Sequence, residues 1–530
     1  MKPETQGVLL EIPEQPAQVG LSCSEANPVP EAKPKLKPVD RSQGLLRPVI
    51  VDELVGQDHK VRAIWDLTEQ FDLSGFHEKI RSKEGQAGRA AWEPRLLLSV
   101  WLYAYSEQVT SAREVARLME YEPGLMWLSG LGEVNHHTLS SFRADHQEEL
   151  KKVMSELLGV LSKEGFVKLE LVAHDGTKIR AHGSSDTFRR EATLEKEIAK
   201  ARQVIEELEG QGESGQGENV RREAAQRRAA RERNERMKQA SEELKKIRAT
   251  KDNEKERQAA RVSLTEPEAR IMKHGDQALA PSYNVQISTD SEKKVIVGIH
   301  LTQSSSDSGS LEPAMEQVKE TMGRYPEQAV TDGGYTNQAT IVGMKKSEIE
   351  FYGSLVEPKV REAASMKAAG IDPAFAPSAF GVQSENKTLQ CPAGKIMEYV
   401  RQSKKGEITY RQYQAQASDC GCCEYQKQCC PRPEQGRLVS IRVTENAEVR
   451  AFREKMKTEA AQQIYKKRGA VAEFPNAWIK DKLGIRKFRL RGIVKATTEA
   501  LWGALTYNVQ RWMFLSWRPK QMATAGGAEA

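Results

Sequence analysis

Two aspartates in this chain stand where a β segment meets glycine: Ala173-His174-Asp175-Gly176-Thr177 and Val330-Thr331-Asp332-Gly333-Gly334-Tyr335. If the two strands are sheet neighbours, their C-terminal ends place both carboxylates within reach of one divalent cation. Oxygen donors of this kind suit Mg²⁺ or Mn²⁺. Glu473 is a third candidate acid. It lies in a helical, basic segment with Tyr465, Arg468 and Lys480, followed by Lys482, Arg486, Lys487, Arg489 and Arg491. Either Asp-Gly pair alone marks a turn or helix cap as readily as a site. What three carboxylates could do together is phosphodiester chemistry: two cations about 3.5–4 Å apart activate an attacking oxygen and stabilise a leaving one.

The cysteines form a second constellation. Six of the seven fall between Cys391 and Cys430, including Cys420-Gly421-Cys422-Cys423 and Cys429-Cys430. Such clustering suggests a local metal site more than disulfides spread over a secreted scaffold. Cys391, Cys420, Cys423 and Cys429 could form a tetrahedral zinc site. Four ligands must be chosen from six and a second CxxC is missing, so free thiols or mixed disulfides are the alternative.

The elements that must position these groups follow from periodicity. Residues 1–47, rich in Pro, Glu, Lys and Gln, are predicted to be a disordered arm. From 48 to 165 the pattern is helical, with Leu96, Leu97, Val100, Trp101 and Tyr105 at helical spacing. Helix starts at Ser111-Ala112 and His137-Thr138, with a turn over Ser129 to Val134, suit either a helix-turn-helix reader or an ordinary bundle. At Phe166 the period becomes two, predicting a strand that ends at Asp175. Further strands are predicted at Tyr283 to Thr289, Val295 to Leu301, Ala329 to Asp332 and Glu350 to Leu355, with helices between the later ones, giving the order βββαβαβ. Residues 184–280 interrupt this order as a charged helical hairpin whose second arm carries Arg222, Arg227, Arg228, Arg231, Arg233 and Arg236. The reading of that arm is divided between a solvated face and contact with a DNA backbone. Residues 359–445 form a Cys-rich insertion, 446–516 C-terminal helices and 517–530 a disordered tail.

With 530 residues, 38% hydrophobic and 29% charged, the chain is long enough for several cores. A net charge of +6 permits nucleic-acid binding without demanding it. The longest apolar stretch, Leu96 to Tyr105, is far short of the roughly 20 residues that cross a bilayer, and no signal-peptide pattern opens the chain. A cytoplasmic protein with no membrane partner is expected.

Beyond the arm, the chain resembles the DDE transposases of bacterial insertion sequences that carry a Tyr-Arg-Glu-Lys signature. The resemblance rests on Ser111-Ala112-Arg113-Glu114, His137 to Arg143, His174 to Ala181, Glu268 to Lys273, Tyr283-Asn284-Val285-Gln286, Thr331 to Tyr335 and the C-terminal signature, in that order. It implies an α+β or α/β chain: an RNase-H-like mixed-sheet catalytic core (166–183 and 281–358), an all-α N-terminal DNA-binding domain and the two insertions. It further implies Asp175, Asp332 and Glu473 as catalytic, Mg²⁺- or Mn²⁺-binding acids. Tyr465, Arg468 and Lys480, with Arg486, Lys487, Arg489 and Arg491, would contact DNA. Expected partners are terminal inverted repeats and target DNA, with a homodimer in the complex and a nucleoid-associated location. Four residues separate Arg468 from Glu473 where the signature usually has three, and Pro475 perturbs helical regularity soon after. A nuclease with the same core that only hydrolyses DNA, or an inactive zinc-containing DNA-binding protein, would share much of this pattern.

Overall fold

The computed structural model describes residues 48–527 except 81, 83–88, 211–217, 252, 356–357, 384–387, 406–407 and 443–445. The chain divides at Val49/Ile50, and the elements below belong to the unit Ile50–Ala530. The arm predicted at 1–47 and the Gly-rich break at 211–217 lie outside the described residues.

Helices come first, among them α1 (Lys60–Thr68), α2 (Pro94–Ser106), α3 (Ala112–Leu118), α4 (Pro123–Ser129), α5 (His136–Asp145) and α6 (Gln147–Lys163). Local chemistry sets their ends. Pro94 opens α2 where no N–H is needed, and the Glu93 side chain accepts the Arg95 amide. Asn135 caps α5 in the same way, accepting the His137 amide at 2.8 Å. Gly130 and Leu131, both at positive φ, make the turn after α4.

The central sheet contains β1 (Leu171–Arg180), β2 (Arg270–Lys273), β3 (Leu279–Asp290), β4 (Ile296–Thr302), β5 (Gln328–Val330) and β6 (Glu350–Tyr352), in the order β2-β3-β1-β5-β6 with β4 also on β3. β1 runs antiparallel to β3 from Val172 opposite Asp290 to Arg180 opposite Ser282. β5 joins the other edge of β1 in parallel, Ala173 facing Val330, and β6 follows in parallel. Helices α9 (Leu311–Met322) and α10 (Gln338–Lys346) occupy the crossovers, so the predicted βββαβαβ order is the one observed, with β2 added at an edge. The architecture is a mixed α+β fold compatible with an RNase-H-like core and an N-terminal helical part.

β1 differs from expectation at both ends. Residues 167–170 are not strand: Leu169 has a positive φ of 57°, and its amide, with that of Lys168, turns to the Asp290 carboxylate at 2.7 and 3.2 Å. The strand then continues five residues past Asp175, because β3 pairs with it throughout and Ile179 remains buried.

The insertion after β1 is a helical hairpin, α7 (Glu191–Gly210) and α8 (Glu218–Ala249). Arg231 pairs with Glu209, Arg233 with Glu197 and Arg248 with Glu191, so several arginines of the second arm face acids of the first. Leu194, Ala240, Leu244, Ala260 and Val262 make its small core. The segment expected to be helical up to 280 ends as strand, since Arg270–Lys273 pairs with the start of β3.

The Cys-rich insertion holds a second, antiparallel sheet: β7 (Gly381–Gln383), β8 (Thr388–Gln390), β9 (Ile396–Lys405), β10 (Ile408–Gln414) and β11 (Leu438–Arg442), in spatial order. Phe380, Leu389, Met397, Tyr413 and Val439 fill its core. Helices α11 (Ala447–Lys457), α12 (Glu459–Ala477) and α13 (Ile493–Trp512) follow. The expected disordered tail is helical to Gly527: Trp517 is buried, and Lys520 pairs with Glu164 at 2.9 Å.

Trp502 of α13 is fully buried against Tyr105, Trp101 and Phe142, and its indole N–H donates to the Arg143 carbonyl at 3.1 Å. Asn508 of the same helix accepts the Ile296 amide and donates to its carbonyl, at 2.9 and 2.8 Å. The last long helix therefore binds the N-terminal helices and the central sheet into one core. No helix among the described residues is long and apolar enough to cross a membrane.

Candidate active site

Asp175 and Asp332 stand on neighbouring parallel strands in matching register. Ala173 faces Val330, and each acid lies two residues further along. Asp332 sits just past the end of β5, its Oδ1 accepting the Gly334 amide at 2.8 Å in a turn that the two glycines make possible. Asp175 lies within β1, not at its end, and its Oδ1 accepts the Gly176 amide at 2.9 Å.

Burial, with the like charges of Asp332 and Asp307, pushes the Asp175 carboxyl up to about 6, against the Gly176 amide and the Arg468 guanidinium. Negative charge is thus concentrated here without a full counter-charge. The oxygen donors and that excess charge both fit a hard divalent cation held by Asp175 and Asp332.

Helix α12 packs over β1 and β3 and brings a residue the sequence reading passed over. Asn476, buried, donates from Nδ2 to Asp175 Oδ2 at 2.9 Å. Glu473 is one turn earlier on the same face. Its side chain is 68% exposed and its Oε1 lies 3.8 Å from the Arg468 guanidinium. So the structure brings Asp175 and Asp332 together and holds Glu473 at the rim, tied to Arg468. Among the described residues, no three His, Cys, Asp or Glu side chains are arranged to hold a metal ion. Pro475 does not end α12. The helix continues to Ala477 and then widens into a π turn over Trp478–Lys482, so the irregularity falls between Glu473 and Lys480.

Behind Asp175 lies a buried polar network. His174 is fully buried, with Nδ1 2.9 Å from Ser288 Oγ and Nε2 2.9 Å from Gln286 Oε1. Burial, then His300, drives its imidazole down to about 3, so it is neutral. The Tyr335 hydroxyl donates to the same Gln286 oxygen at 2.7 Å, and Gln286 Nε2 donates to Asp307 at 3.0 Å. The quoted segments around His174, Tyr283 to Gln286 and Thr331 to Tyr335 therefore meet in space.

Beside Gly176 an open groove of about 500 Å³ is lined by Gly176, Thr177, Lys178, Lys273, Asp307 and Lys480, among others. Burial and Arg486 lower the Lys480 ammonium pKa, while Asp175 and Asp481 oppose that shift. Lys178 and Lys273 were not singled out from sequence; their alternation on paired strands was the available signal. Tyr465 is partly buried against the main core. Arg486, Lys487, Arg489 and Arg491 are exposed on a segment whose Ile485 and Phe488 are buried. That segment is bridged to the end of β1: the Arg180 amide donates to Arg486 O at 3.3 Å and the Phe488 amide to Arg180 O at 2.9 Å.

The proposed zinc ligands also cluster. Cys391 closes the β8–β9 turn, its amide donating to Lys395 O at 2.9 Å, while Cys420 and Cys423 flank the end of a short helix and Cys429 ends another. Together with Cys430 they line a small cavity of about 30 Å³, and all six cysteines from Cys391 onward are free thiols. Burial raises the Cys429 thiol, as do Cys430, Cys391 and Cys423, with Arg437 opposing.

Comparison with known families matches residues 390–513 to the family described as "Transposase DDE domain" and residues 49–145 to "Transposase domain (DUF772)". Comparison with curated proteins and with solved structures gave no significant match. The first match spans Glu473 and the basic segment after it, and the second spans α1 to α5. Such domains at both ends of one continuous core support a DDE-type transposase of insertion sequences.

Proposed function

We propose that this transposase cleaves the ends of its insertion sequence and joins them to target DNA at one site formed by Asp175, Asp332 and Glu473. The observation that carries the reading is the register of β1 and β5, which sets two carboxylates side by side beside a lysine-lined groove. Transposases of this class generally use divalent metal. Mg²⁺ or Mn²⁺ held by these acids would lower the barrier to attack on phosphorus and stabilise the leaving oxygen.

Around that centre the chain's own groups divide the work. Lys480, Lys178 and Lys273 attract the phosphodiester into the groove. Arg468 and Tyr465 on α12 meet phosphates near the cleaved end. Contact of Arg468 with DNA releases its ion pair with Glu473, freeing that carboxylate to turn toward Asp175 along the face that Asn476 already occupies. In the first reaction a water oxygen bonds to phosphorus as the P–O3′ bond breaks, leaving a 3′-hydroxyl and a 5′-phosphate. In the second, that 3′-hydroxyl attacks a target phosphorus and displaces the target's own 3′-oxygen. No covalent enzyme intermediate is needed. A homodimer holding the two inverted repeats would supply one such site per end.

The test mixes purified protein and Mg²⁺ with a labelled duplex bearing the element's inverted repeat, then adds supercoiled target. Cleaved ends joined to target support the reading. Cleavage with no joined product would leave a nuclease.

For the cysteine cluster we propose a structural zinc on Cys391, Cys420, Cys423 and Cys429, supported by the free thiols around one small cavity. Metal analysis of protein purified without chelator should find about one zinc per chain. A value near zero with six titratable thiols would dismiss it.

A further inference from the structure

The basic segment that ends at Arg491 has no helix or strand of its own to hold it. From Leu483 to Gly492 the backbone is irregular, and Lys487 makes an isolated bridge to Arg180 of β1. Backbone of this kind leaves amides that must find partners elsewhere. Here the partners are carboxylates. Glu499 Oε2 accepts the Arg489 amide at 2.8 Å and the Leu490 amide at 3.0 Å. Glu266 Oε1 accepts the Gly492 amide at 3.2 Å, and Glu268 Oε2 the Ile493 amide at 2.7 Å.

These acids are themselves firmly set. Glu266 is 1% exposed and also accepts the Tyr283 hydroxyl at 3.0 Å and the Gly183 amide at 2.7 Å. Glu499, on α13, is fully buried. Burial pushes its carboxyl up, while the Arg143 guanidinium, the two amides and Arg489 oppose that shift. Arg143, a buried residue of α5, also donates to the Thr110 carbonyl, and Thr110 Oγ1 accepts from Arg489 Nε at 3.4 Å. Gly492 has a φ of 86°, and Glu268 Oε2 lies 3.1 Å from where its Cβ would stand, so glycine lets the chain close on that carboxylate.

We propose that Glu266, Glu268 and Glu499 are positioning residues for DNA: by gripping backbone amides from Arg489 to Ile493 they keep the basic segment ordered before any phosphate arrives. This rests on the reading of that segment as a DNA contact. With its amides turned inward, the segment leaves Arg486, Lys487, Arg489 and Arg491 exposed. An ungripped segment would have to be ordered on binding, and every long side chain immobilised then would weaken the complex. Capping of α13 accounts for Glu268 alone, since a carboxylate is favoured at the first amide of a helix. It does not account for Glu499, whose bonds go to amides that precede the helix. Through Arg143 the grip extends to the N-terminal helices, because the acid that takes the segment's amides faces a guanidinium from α5.

The test measures binding of full-length variants to a duplex carrying the inverted repeat, by fluorescence anisotropy over a range of salt. Glu268→Ala removes one grip at a half-buried position, and Glu499→Asp withdraws the carboxylate from its amides while keeping the charge. Each should fold as the wild type by circular dichroism and bind on the order of 10-fold more weakly. The dependence on salt should stay as steep as in the wild type, because the phosphates contacted are the same. Hydrogen exchange of the free protein should quicken in the peptide spanning 486–493 and not in β1 or β3. Glu268→Gln, whose side-chain oxygen can still accept the Ile493 amide, should restore binding. Wild-type affinity in both Glu268→Ala and Glu499→Asp would overturn the proposal, as would unchanged exchange of the segment. If replacing Arg486, Lys487, Arg489 and Arg491 together by Gln leaves the salt dependence unchanged, the underlying reading of the segment has failed instead.

Discussion

At the scale of residues, the acids are unequal, and substitutions should expose that. Asp175→Ala removes a half-buried group with partners in α12 and β1, and Asp332→Ala removes its neighbour in register. Each should abolish end cleavage while inverted-repeat binding, measured by gel shift, stays within a few-fold of wild type. Glu473→Gln leaves the exposed rim of α12 folded and should lower cleavage by at least the 10²-fold typical of losing an electrostatic contribution to catalysis. Retained cleavage in any of the three would remove that residue from the site. A separate prediction concerns His300, which burial pushes down to about 4 and whose Nδ1 has no hydrogen-bond partner. An unfolded histidine takes up a proton near 6.5, so between 6.5 and 4 the unfolded chain binds more protons and stability falls as pH falls. From pH 7.5 to 5 this costs about 2 kcal/mol. Urea denaturation of His300→Phe should show a drop smaller than the wild type's by that amount. Asp175, whose raised carboxyl shifts stability in the opposite sense, is common to both proteins and cancels. An equal drop in both would show that His300 is protonated when folded.

At the scale of elements, the strands were readable because alternation of apolar and polar residues survives in β1, β3 and β4, and the acids were readable because glycine follows them. The end of β1 was not, since Gly176-Thr177-Lys178 looks like a turn until β3 is laid beside it. Asp307 was invisible for a similar reason: nothing in a Ser-rich loop tells which side chains of β3 will face it. Asn476 was missed because the signature drew the eye to Glu473, although both share a helical face. The Cys-rich sheet, with its short and irregular strands, gave no clean period. Trp502 shows how far one helix governs the rest. It is fully buried among aromatic rings from α2 and α5, so Trp502→Ala should cost about 3–5 kcal/mol by urea denaturation. It should also loosen the N-terminal helices first, as seen by proteolysis. A loss under 1 kcal/mol would mean that those helices hold together without α13.

For the whole molecule the question is how DNA lies across the site. A groove lined by Lys178, Lys273 and Lys480 opens on the strand that carries Asp175, and the segment bearing Arg486, Lys487, Arg489 and Arg491 is bridged to the far end of that strand. Buried Ile485 and Phe488 anchor that segment, which leaves its bases exposed beside the catalytic strand. A duplex entering the groove would run its backbone along them. If each base neutralises one phosphate, each releases counterions, and the slope of log binding constant against log salt steepens by about 0.9 per contact. Replacing all four with Gln should therefore make the slope shallower by about 3 to 4, measured by fluorescence anisotropy on a duplex carrying the inverted repeat. The same change should appear on an unrelated duplex, because phosphate contacts carry no sequence information. A slope unchanged by the fourfold substitution would place the DNA elsewhere, and the arginine-rich helix α8 would become the next surface to test.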